Sequence, residues 1–232
     1  MKNVNLSFLN QELSIGLTIA WFIMALLTIF LFLRAVPNPK SARLILFSWL
    51  IFQSILALNG FFLKTIEIPQ ILFVGVGLPN LFAISMLFFG VGRKFIDSLD
   101  LQRLTFFHII RVPVELLILW LFLENQMPQL MTFEGRNWDI LSGITAPIIA
   151  FWAFREVKTH KNVLLVWNLI CLGLLLNIVI NAILSAPLPI QQQAFEQPNV
   201  GVLKFAANLL PSLIVPLVLF GHLAAITRLV RK

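Results

Sequence analysis

Seven long apolar runs separated by short polar stretches dominate the chain: residues 13–33, 44–63, 71–91, 104–123, 138–154, 163–184 and 205–227. A helix needs about 20 apolar residues to cross the hydrocarbon core of a bilayer, so the pattern predicts seven transmembrane helices. The run at 138–154 is the weakest. It is short and holds Ser142, Gly143, Thr145 and Pro147, a composition suited to an irregular or re-entrant segment. The expected fold class is an all-α membrane protein, a bundle of seven transmembrane helices forming one domain over residues 1–232.

The polar stretches carry their own signal. Arg34, Lys40 and Arg43 follow the first run, Arg93, Lys94 and Arg103 the third, Arg155, Lys158 and Lys161 the fifth, and Arg228, Arg231 and Lys232 the last. The alternate stretches hold only Lys2, Lys64, Arg136 and Lys204, a tally of twelve against four. By the positive-inside rule the N-terminus lies outside and the C-terminus is cytoplasmic. An even number of spans would break this alternation. The acidic residues Glu12, Glu67, Glu124, Glu134, Asp139 and Glu196 fall on the outer side. Lys2 before the first run and three basic residues after it reverse the charge bias of a secretory signal, so the first helix is expected to be retained.

Composition agrees with the pattern. The chain is 59% hydrophobic and 12% charged, with a mean hydropathy of +0.93, whereas soluble domains are about 25% charged. The net charge of +7 is dispersed among the loops as topology markers and forms no basic stripe of the kind that binds nucleic acid. The expected setting is the cell membrane, multi-pass. The expected partners are the lipid bilayer, a small-molecule solute, and a second copy or another membrane subunit, with no nucleic acid. The single cysteine, Cys171, is expected to be a small apolar core residue. Short motifs for hydrolases, zinc proteases, dithiol redox centres and nucleotide binding are absent, and no cofactor or metal is expected.

The candidate chemistry lies in "LTFFHIIRVPVELLILWLF", residues 104–122, which places His108, Arg111 and Glu115 inside an apolar run. At about 100° per residue, His108 and Glu115 nearly eclipse and Arg111 lies about 60° away. The three form one stripe. A charge at a helix centre costs about 2.5 to 3.5 kcal/mol on the gentler insertion scale, so the stripe should face protein or water. Arg111 and Glu115, at i and i+4, are within pairing reach. Pro113 between them frees the Ile109 carbonyl.

The last run offers a facing stripe if it is one continuous helix, with Lys204, Asn208, Ser212 and His222 within about 40° of one direction. Gln53 and Asn80 lie near mid-depth on the second and third runs. The substrate-binding set is therefore expected to be Arg111, Glu115, His108, Asn80, Gln53, Asn208, Ser212 and His222. Intramembrane ionisable residues point to function, and proline-broken helices around midplane polar groups suit transport. The leading expectation is binding or transport of a small polar or anionic solute, with Arg111 as charge partner and Glu115 as counter-charge and proton carrier. The alternatives are an intramembrane lipid-modifying enzyme using Glu115 and His108, and a non-catalytic assembly or sensor subunit. His108 and His222 as joint haem ligands form a weaker alternative, since neither has an i+3 or i+4 ligand neighbour.

Overall fold

The computed structural model describes residues 7–64, 73–155 and 160–231. Lys2, Glu67, Lys158 and Lys232, together with the start of the third apolar run at residues 71 and 72, lie outside the described residues. Among the described residues the regular structure is entirely helical. In chain order the α-helices are α1 (Ile15–Leu33), α2 (Lys40–Leu58), α3 (Leu78–Ser85), α4 (Gly90–Ser98), α5 (Leu101–Phe107), α6 (Arg111–Leu123), α7 (Ile140–Trp152), α8 (Lys161–Ser185) and α9 (Val215–Arg231).

Five segments are long and apolar enough to cross a membrane: α1, α2, Leu101–Leu123, α8 and Leu210–Arg231. A sixth arises if Val74–Ser85 and α4 are one broken span, since they meet at 82°. Glycine permits the bend. Gly92 packs against the Met86 carbonyl, where a Cβ would lie 2.1 Å from the oxygen. Helix α7 is shorter than expected, at 13 residues with Pro147 inside it. At 1.5 Å per residue it spans about 20 Å, less than the roughly 30 Å hydrocarbon core.

Prolines shape the two segments that carry the polar stripes. Leu101–Leu123 passes through a 3-10 turn at His108–Ile110 between α5 and α6, just ahead of Pro113. Proline cannot donate to the carbonyl four residues earlier, and its ring crowds that carbonyl. The last run departs further from expectation. Residues 204–208 are not helical, a π turn covers Leu210–Ile214, and α9 starts only at Val215. Pro211 and Pro216 both lie in this stretch, and each removes a helical donor. The Trp49 indole N–H donates to the Ser212 carbonyl at 2.8 Å, the acceptor that Pro216 cannot reach.

Packing is uneven among the spans. Within Leu210–Arg231, 61% of the most apolar window is buried, against 17% in α2. The last helix is therefore central and α2 peripheral. Helix α9 packs against α8 and α3, α5 and α6 pack against α7, and α1 packs along α5 and α6. Trp21, Phe107, Leu121 and Leu209 are among the fully buried side chains of the main core. Outside it, the Lys204 ammonium donates to Phe8 O at 2.7 Å, to Gln11 O and to Gln126 Oε1, tying the N-terminal segment to the loops after α6 and α8.

Candidate functional site: a buried charge network beside a cavity

His108, Arg111 and Glu115 are all buried, with 1%, 2% and 2% exposure. The stripe therefore faces the bundle, as the helical spacing predicts. Its pairing is different from the expectation. Arg111 does not pair with Glu115; it forms a two-point ion pair with Asp139, Nε to Oδ2 at 2.7 Å and Nη2 to Oδ1 at 2.5 Å. Asp139 sits at the N-cap of α7 and is 5% exposed. The positive end of a helix dipole favours a carboxylate there, and the planar guanidinium fits it bidentately.

The rest of the guanidinium is also committed. Nη1 and Nη2 approach the Cys171 carbonyl at 3.5 and 3.4 Å, and Nη1 donates to His222 Nε2 at 3.1 Å. Because that ring nitrogen accepts from a permanent donor, His222 carries its proton on Nδ1. Nδ1–H donates to Asn168 Oδ1 at 2.9 Å, and Asn168 Nδ2 donates to the Leu164 carbonyl at 2.8 Å. A continuous chain thus runs from α8 through α9 and α6 to α7. Close backbone approach makes it possible: a Cβ on Gly143 would lie 2.8 Å from Val112 N, so α7 can lie against Arg111 only with glycine there.

Glu115 takes a separate partner. Asn137 Nδ2 donates to Glu115 Oε2 at 2.6 Å and to the Met131 carbonyl at 2.9 Å, while Asp139 N donates to Asn137 Oδ1 at 3.0 Å. Asn137 links the carboxylate to the ion pair. Glu115 Oε1 has no hydrogen-bond partner among the described residues.

Beside this network is a cavity of about 120 Å³. Its walls are mainly aliphatic, including Val114, Ile118, Leu175, Ile178, Ile214 and Val218, and its polar lining is Arg111, Glu115, Asp139, Asn199 and Asn208. It extends to Ala186, Leu188 and Leu203 in the segment that follows α8.

The remaining expected site residues divide. Asn208 lines the cavity and donates to the Gln53 carbonyl at 3.3 Å, while the Gln53 amide itself donates to Val74 O at 3.2 Å. Asn80 and Ser212 do not line it. Their side chains bond the carbonyls of Val76 and Asn208, each four residues back, at 2.7 and 2.8 Å, the usual local role of such residues. His108 stacks on His222 with ring centroids 3.8 Å apart and planes 15° from parallel. It lies off the cavity lining, whereas Glu115 lies on it. Both His222 nitrogens are engaged in hydrogen bonds.

Asp139, Asn137 and Asn168 escaped the sequence reading. Asp139 and Asn137 lie between α6 and α7 and look like ordinary loop residues. The available signal was the buried arginine itself: a fully desolvated guanidinium requires a carboxylate, and "RNWD" supplies one beside an asparagine.

No curated protein and no solved structure matches the chain. A family model described as a domain of unknown function, DUF8737, matches residues 68–230, a range that holds every member of the network from Arg111 to His222. The chain belongs to that family.

Proposed function

We propose that the protein is a seven-pass protein of the cell membrane, N-terminus outside and C-terminus cytoplasmic, that binds a small solute in its interior and moves it across the bilayer. The bent pair of α3 and α4 would count as one span and α7 as a short one. The alternation of basic residues supports this count. One observation carries the functional reading: Glu115 is 2% exposed, lines the cavity, and keeps one carboxylate oxygen without a partner among the described residues. A buried carboxylate left half-satisfied is costly unless something occupies the space beside it.

The surrounding helices favour movement over static packing. The 3-10 turn at His108–Ile110, the π turn at Leu210–Ile214 and the short α7 all place helix breaks around the site, as transport through discontinuous helices requires. Glu115 is the solute contact and the proton carrier. The Arg111–Asp139 pair holds α7 against α6.

Uptake into proteoliposomes tests this. With a panel of radiolabelled amines, sugars and carboxylic acids, at least one solute should enter faster than into protein-free vesicles, with a rate that varies with pH. Glu115→Gln should abolish the pH dependence while the variant still purifies as a folded species. Uptake of every solute at the protein-free rate, or unchanged pH dependence in Glu115→Gln, contradicts the proposal.

A further inference from the structure

We infer that the solute is a small amphipathic hydrogen-bond donor, a short apolar body bearing an amine, and not an anion. This rests on the solute-binding reading above and narrows it to a chemical class.

Arg111 is the one cation lining the cavity among the described residues; Asp139 takes one edge of its guanidinium through Nε and Nη2, and His222 and the Cys171 carbonyl lie against the remaining nitrogens. An anionic solute would have to displace Asp139 from a bidentate buried pair, leaving that carboxylate uncompensated. The guanidinium therefore supports the site and does not bind the solute.

What the lining leaves open is a set of acceptors. Among the described residues the Glu115 carboxylate accepts one hydrogen bond, from Asn137 to Oε2, and the buried amide oxygens of Asn199 and Asn208 accept none. The amide orientations are fixed, because Asn199 Nδ2 donates to the Ala182 carbonyl and Asn208 Nδ2 to the Gln53 carbonyl, each at 3.3 Å. Acceptors without donors call for a ligand that donates, and buried polar groups are paired in nearly all native structures. An ammonium offers three such donors, and a cation beside Glu115 favours its ionised form.

At about 120 Å³ the cavity is close to the roughly 150 Å³ engineered cavity that holds benzene. Its aliphatic walls match a short hydrocarbon body, and its polar groups are too few to pair the many hydroxyls of a sugar. A four-carbon amine fits these limits.

Binding of butylamine, butanol and butyrate to the purified protein, measured by calorimetry at neutral pH, separates the classes. The inference expects saturable binding of butylamine at least tenfold tighter than butyrate, with butanol between them. Glu115→Gln should weaken butylamine at least tenfold and change butanol by less than threefold. Tighter binding of butyrate than butylamine would overturn the donor class while keeping the solute-binding reading. Saturable binding by none of the three would overturn both.

Discussion

Replacing Asp139 with asparagine would leave the Arg111 guanidinium buried opposite a neutral amide. Breaking one partner of a buried pair costs about 3–5 kcal/mol, whereas replacing both with apolar residues of similar volume is often neutral. Thermal unfolding in detergent should therefore show a large loss for Asp139→Asn, and a smaller one for Arg111→Met combined with Asp139→Leu. Equal losses would show that the ion pair adds nothing beyond its packing. The inward stripe of His108, Arg111 and Glu115 was legible because helical spacing fixes direction from sequence separation alone. Their partners were not legible at the same level. Asp139 lies 28 residues from Arg111, and no local periodicity reports which loop residue a tertiary fold will bring beneath a helix.

Among the elements, the close fit of α7 against α6 depends on Gly143. An alanine there must push a Cβ into the Val112 backbone nitrogen and its Cγ2, both 2.8 Å away. Overpacking of this kind costs about 1–3 kcal/mol. The shift would also pull Asp139 from Arg111, so Gly143→Ala is expected to lower the unfolding temperature and weaken solute binding together. An alanine variant with unchanged stability and binding would show that α7 has room to move. Long apolar runs gave α1, α2 and α8 close to their expected bounds, since hydrophobic length is read directly from sequence. The last run failed as a continuous helix because Pro211 and Pro216 act on backbone donors that hydropathy does not count. Lys204 therefore left the expected stripe to hold the N-terminal segment, and Ser212 turned to its own backbone.

At the scale of the whole molecule, the orientation rests on the unequal division of basic residues between the two faces. The single native cysteine, Cys171, is buried, so engineered thiols report cleanly. An impermeant thiol reagent should label Glu134→Cys on intact cells and Arg155→Cys only after permeabilisation, since both positions are exposed in the fold. The reverse labelling would invert the topology. The membrane class was legible from composition, and the interior cavity was not. A cavity is what several helices leave unfilled between them, and the side chains that line this one come from α6, α8, α9 and the loops after α6 and α8 at once.

The central claim is that Glu115 faces a space that solutes in water can enter. In a Cys171→Ala background, reaction of a small water-soluble thiol reagent with single cysteines along α6 in membranes tests it most directly. Val114 and Ile118 line the cavity at 6% and 3% exposure, whereas Leu116 is 53% exposed on the outer surface of the bundle. Val114→Cys and Ile118→Cys should react, while Leu116→Cys, surrounded by acyl chains, should not. Cysteines at Val114 and Ile118 as inert as the one at Leu116 would contradict it.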